Sequence, residues 1–123
     1  MNKIFTVTIL ILAFSLNAKS QSKRDFCKKW NLTGYVYWGI TFSPEEKEKN
    51  DYLDLKENGS YIAVDEGNSE NGTWNVNFRN KTLLLYSSKS IKPLVFVIIK
   101  VTKNDLILFL KDKEDSVTLK FLA

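Results

Sequence analysis

From position 29 onward apolar residues recur mainly at every second position, and charged clusters, single glycines and Asn-Gly interrupt the alternation at short intervals. That period belongs to strands with one buried face, not to helices. The first strand is expected over 29–39. Trp30, Leu32, Gly34, Val36 and Trp38 share its inward face, with Thr33, Tyr35 and Tyr37 opposite. Ser43-Pro44-Glu45-Glu46 then combines an N-cap serine, a proline at the first helical position and a glutamate three residues after the cap. A short helix is expected here, between the first strand and the second.

Further strands are expected over 51–56 and 60–65, joined by Glu57-Asn58-Gly59, whose Asn-Gly pair adopts the positive φ angles of a tight hairpin. A polar turn over 67–72 leads to a strand over 73–78, with Trp74, Val76 and Phe78 alternating against Thr73, Asn75 and Asn77, and then to one over 82–86. The segments 94–101 and 106–110 are apolar at almost every position, so both faces require cover, and 117–122 alternates again. These are eight strands in series with short links. An open sheet would leave two exposed edges, and closure removes them. The fold class is therefore all-β, an eight-stranded antiparallel up-and-down barrel with one short helix between strands 1 and 2.

The first twenty residues have a different texture. Lys3 precedes an apolar run over 4–16, and Ala18-Lys19-Ser20 has the small-x-small form of a cleavage site. The run is short for a bilayer span, so 1–20 is expected to be a removed signal peptide and 21–123 the working domain. The protein is then exported, to the periplasm, the cell surface or the medium. The full chain has 18 basic and 14 acidic residues; without Lys3 and Lys19 the balance is 16 against 14, a net charge of +2. Lysines alternate with acids in Glu45-Glu46-Lys47-Glu48-Lys49, so no basic stripe for nucleic acid is present. Cys27 is the single cysteine and cannot close an internal disulfide. Arg24-Asp25-Phe26 before it lacks the small apolar run that lipid attachment needs.

The chain contains no histidine. Ser-His-Asp and Cys-His nucleophiles and imidazole metal sites are thereby excluded, and one thiol makes no thiolate cluster. No catalytic residue, metal site or cofactor is expected. The remaining catalytic chemistry would be carboxylate pairs among Asp51, Asp54, Asp65 and Glu66, which fall beside turns where acids are ordinarily solvated. Aromatic residues offer binding chemistry instead. Trp38, Phe42, Tyr52 and Tyr61 fall at strand ends or beside the short helix, where ring faces at a barrel mouth suit a small hydrophobic ligand. Trp30 and Trp74 read as plugs of the opposite end.

The doubly apolar strands 94–101 and 106–110 raise an alternative. Either Val95, Val97, Ile99 and Val101 or Leu94, Phe96 and Ile98 face outward. That face would contact a protein partner or a second copy, unless the segment around Phe26 or a loop covers it.

Trp30-Asn31-Leu32-Thr33-Gly34, Leu55-Lys56-Glu57-Asn58-Gly59-Ser60-Tyr61, Asn71-Gly72-Thr73-Trp74 and Lys103-Asn104-Asp105-Leu106-Ile107-Leu108 resemble the small bacterial lipocalin-like domain family, common among exported proteins of the Bacteroidetes. The resemblance covers nearly all of 21–123 and implies a short calycin-type barrel, with no particular ligand. Trp30 precedes Gly34, whereas longer lipocalins open with Gly-x-Trp, so their carrier role does not transfer directly. Asp115-Ser116-Val117 resembles the O-glycosylation pattern of exported Bacteroidetes proteins, although a serine at a strand start is also an ordinary turn residue. The expected function is a non-catalytic binding module holding a small apolar ligand, without a stable membrane span.

Overall fold

The computed structural model describes residues 22–111 and 116–123. The expected leader 1–20 and Asp115 lie outside them. Among the described residues no helix is long and apolar enough to cross a membrane.

The strands are β1 (Lys29–Tyr37), β2 (Ile40–Phe42), β3 (Tyr52–Leu55), β4 (Ser60–Asp65), β5 (Asn68–Asn77), β6 (Thr82–Ser87), β7 (Leu94–Val101), β8 (Asp105–Lys111) and β9 (Ser116–Leu122). All neighbours are antiparallel, and β1 also pairs with β9. The strands β1 and β3 to β9 thus close into the expected eight-stranded up-and-down barrel, which has no free edge among them.

The short β2 was not anticipated. The chain leaves β1 at Tyr37 and reverses through Trp38 and Gly39, with φ of 53° and 75°, so that Phe42 pairs with Tyr35. One edge of β1 is therefore shared, with β3 on Lys29 to Asn31 and β2 on Tyr35 to Tyr37. The two lie end to end, and residues 43–51 leave the sheet between them. The short helix expected in this excursion is a single 3-10 turn, Glu46–Glu48, and it starts two residues later than a Ser43 cap would place it. Its cap is Glu45, whose N–H donates to Glu48 Oε1 at 3.1 Å. The expected polar turn over 67–72 is also corrected. The reversal is confined to Glu66 and Gly67, with φ of 51° and 85°, and β5 already begins at Asn68.

Two register breaks decide which side chains face inward. Between Leu32 and Gly34 the β1–β9 ladder slips at Thr33. An extra residue in one strand reverses its alternation. Trp30 and Leu32 face inward as expected, but beyond the bulge Tyr35 and Tyr37 line the interior, and Trp38 is 84% exposed. A second slip between Ile98 and Lys100 acts likewise on β7. Phe96 and, past the slip, Val101 are buried, whereas Val95, Val97 and Ile99 are exposed on the outside. The outward set is the first of the two considered, less Val101.

The core occupies one end of the barrel. Phe26, Trp30, Leu55, Trp74, Leu83 and Leu106 are buried there, and a 3-10 turn at Lys23–Phe26 seals the end. Trp30 Nε1 donates to the Phe26 carbonyl at 2.9 Å and Trp74 Nε1 to the Lys56 carbonyl at 2.8 Å, so neither indole is buried unsatisfied. Lys23 Nζ lies 4.7 Å from the Trp74 ring centre. The segment around Phe26 therefore covers the barrel end and not the outer face of β7.

Gly72 marks a place where two backbones meet. A Cβ there would fall 2.0 Å from the Tyr86 carbonyl oxygen on β6. Gly59 has open space but a φ of +89°. Gly72→Ala is expected to cost at least about 2–3 kcal/mol because rigid backbone must move, against about 1–2 kcal/mol for Gly59→Ala, which meets only the left-handed penalty. Urea denaturation of both variants checks the order.

Candidate ligand-binding site

The inward side chains fill the sealed end but not the other, where a cavity of about 470 Å³ opens. Its deeper wall is apolar: Leu32, Leu53, Ala63, Leu85, Phe96, Leu119 and Phe121. Leu94, Leu110 and Val117 continue that wall on β7 to β9. Tyr35, Tyr37, Tyr52 and Tyr61 add ring faces with polar tips, and Glu48, Asp51, Asp65 and Glu70 complete the lining. An apolar pocket with a few placed polar groups is the usual form of a small-molecule site.

The four aromatic candidates divide. Tyr52 and Tyr61 line the cavity; Trp38 and Phe42 do not. Trp38 is carried outward by the bulge and the Trp38-Gly39 turn. Phe42 stacks against Tyr35 with ring centres 5.5 Å apart, behind the lining residue. Tyr52 stands at the wall's edge, with Lys29 Nζ 4.2 Å from its ring centre. The alternation alone put Tyr35 and Tyr37 on the outside, so sequence reasoning missed them. Gly34 inside an otherwise strand-forming run is the one local signal of the bulge.

Tyr61 is almost wholly buried, and its hydroxyl donates to Glu70 Oε1 at 2.9 Å. Burial, and then the neighbouring Glu70 carboxylate, push its pKa up to about 12. Tyr35 is raised as well, by desolvation first and then by Glu48 and Glu45. Asp51 is the one buried charged residue among those described, 7% exposed, although a solvated place beside a turn was expected for it. Its Oδ1 accepts the Glu66 N–H at 2.8 Å and its backbone carbonyl accepts the Leu32 N–H at 3.0 Å. The residue thus ties the Glu66-Gly67 turn to β1. Desolvation raises its pKa, assisted by Asp65 and Glu48 and opposed by the Glu66 hydrogen bond. Among the described residues no three His, Cys, Asp or Glu side chains are grouped to hold a metal. Cys27 is a free, half-buried thiol at the sealed end, raised mainly by burial.

A closed eight-stranded barrel, sealed at one end and hollow at the other, defines a lipocalin-like protein, a fold that suggests a binding module. The family model for the lipocalin-like domain matches residues 27–108, and the chain belongs to that family. Among solved structures the chain is similar to a lipocalin-like protein from Bacteroides uniformis, with a TM-score of 0.59 and 14% identity over 79% of this chain and 97% of that one. It is also similar to a DUF4847 family protein from Bacteroides vulgatus, with a TM-score of 0.52 and 10% identity over 78% of this chain and 92% of that one. No curated protein gives a significant match.

A raised Asp51 pKa means that the folded state holds this proton more tightly than the unfolded chain. Its contribution to stability is full below the ordinary aspartate range and is lost as pH rises through the raised value. Asp51→Asn keeps a side-chain oxygen for the Glu66 N–H and removes the buried charge. The expected outcome is that the variant gains stability relative to the native protein between about pH 3 and pH 7, measured by urea denaturation at each pH.

Proposed function

We propose that the protein is an exported, non-catalytic binding module that takes a small apolar ligand into the open end of its barrel. The observation that carries this reading is the cavity of about 470 Å³ behind an apolar wall, within the range of drug-sized ligand pockets. Export is supported by the leader-like composition of 1–20. A non-catalytic role is consistent with Asp51 being occupied in holding a turn. Tyr52 and Tyr61 are proposed ligand contacts, joined by Tyr35 and Tyr37; Trp38 and Phe42 would reach a ligand only from outside the lining.

Native mass spectrometry of the protein purified from the cells that make it is expected to show extra mass that leaves on denaturation. A neutral apolar dye, N-phenyl-1-naphthylamine, is expected to brighten on binding. Ala63→Phe, which adds a ring inside the wall, should weaken the dye by about tenfold or more. A clean apo spectrum together with no dye binding would sink the reading.

The outward face of β7 supports a second reading, a contact surface for a protein partner or second copy, because Val95, Val97 and Ile99 are exposed side by side with no covering segment among the described residues. A strictly monomeric species at high concentration in sedimentation would count against self-association there.

A further inference from the structure

The charge of the cavity lining is one-sided. Glu48, Asp51, Asp65 and Glu70 line it, and among the described residues no lysine or arginine does. They come from separate places: the 3-10 turn, the residue before β3, the end of β4 and the start of β5. Two cations on adjoining elements lie at the rim and not in the lining. Lys47 Nζ lies 3.3 Å from Glu66 and 3.9 Å from Glu45, and Lys29 Nζ lies over the Tyr52 ring. The apolar wall runs deeper, through Leu53, Leu85, Phe96 and Phe121.

We infer that the ligand of this cavity is an apolar molecule with a positively charged end, such as a protonated amine, directed at the mouth carboxylates. This rests on the cavity being the binding site. The physical argument is one of discrimination. An apolar tail gains equally from the wall whatever its head group, so the head group decides. A carboxylate head would be set against four acids in a partly desolvated site, where like charges repel more strongly than in water. An ammonium head meets acceptors that lack a cation of their own in the described lining, and Tyr61, by donating to Glu70, fixes the position of that carboxylate. No three of the acids gather as metal ligands among the described residues, so the arrangement is a broad negative field and not a chelate. The raised pKa values of Tyr35, Tyr61 and Asp51 each owe part of their shift to these same acids.

Displacement of N-phenyl-1-naphthylamine by decylamine, decanol and decanoate at pH 7 and low salt tests the inference, since the three share one tail. Decylamine is expected to displace the dye at a concentration about tenfold lower than decanol, with decanoate the weakest. In Asp65→Asn and in Glu70→Gln the amine-to-decanoate ratio should narrow several-fold; Asp65 is exposed at the end of β4 and asparagine keeps its side-chain oxygen, so that variant serves if Glu70→Gln does not fold. Decanoate displacing the dye as well as decylamine, displacement by none of the three, or a ratio unchanged in both variants would overturn the charge inference and leave the binding reading intact. Failure of the dye itself to bind would remove the binding reading and this inference with it.

Discussion

Everything in this molecule hangs on the ladder between β1 and β9. These strands come from opposite ends of the domain, and their pairing from Asn31 with Leu122 to Tyr37 with Val117 turns a meander into a closed wall. Without it the apolar interior has no boundary and two strand edges stand open. The ladder is not uniform. The slip at Thr33 divides β1 into two halves with opposite phase, and that division separates the sealed end from the hollow one. Before the slip Trp30 is a plug; after it Tyr35 and Tyr37 are lining.

The other edge of β1 has a different logic. Shared between β2 and β3, it releases residues 43–51 from the sheet, and this excursion contributes Glu48 and Asp51 to the cavity. These two acids thus reach the mouth from outside the sheet, whereas Asp65 and Glu70 reach it from β4 and β5. Asp51 shows the cost of this arrangement. It is a carboxylate kept out of water, compensated by the Glu66 N–H, and its oxygen joins the excursion to the β4–β5 turn. Electrostatics and loop geometry meet in one side chain.

Much of the fold is legible in the residues, and the reasons for the misses are specific. Asn58-Gly59 announces its turn because glycine at φ +89° carries no steric penalty, and Trp74 with Val76 betrays an inward face because Thr73, Asn75 and Asn77 cannot share it. Asn68 to Asn71 forms strand with no apolar residue at all, so its pairing with β4 is written in backbone hydrogen bonds that leave no hydrophobic period. Glu66 at positive φ is invisible in the same way, since tertiary context imposes a conformation its side chain does not favour. The site was read less well than the fold because a single bulge exchanges the faces of a strand, and residue types in β1 suit either phase. Tyr61 lines the cavity because it alternates inward on β4, where the register is unbroken, whereas Tyr52, beside inward Leu53, meets the lining only at its edge.

The split edge of β1 has an evolutionary side. Because β2 and β3 each hold their own register on β1, the chain between them bears no responsibility for strand alignment. Loop-closure entropy grows only slowly with length, so lengthening such a segment costs little. Residues 43–50, up to the Asp51 that is tied to β1 and to the β4–β5 turn, are therefore a segment that can change on a fixed frame. Descendants of this chain can remodel the rim, residue by residue or by insertion, while the ladder that makes the barrel stays as it is.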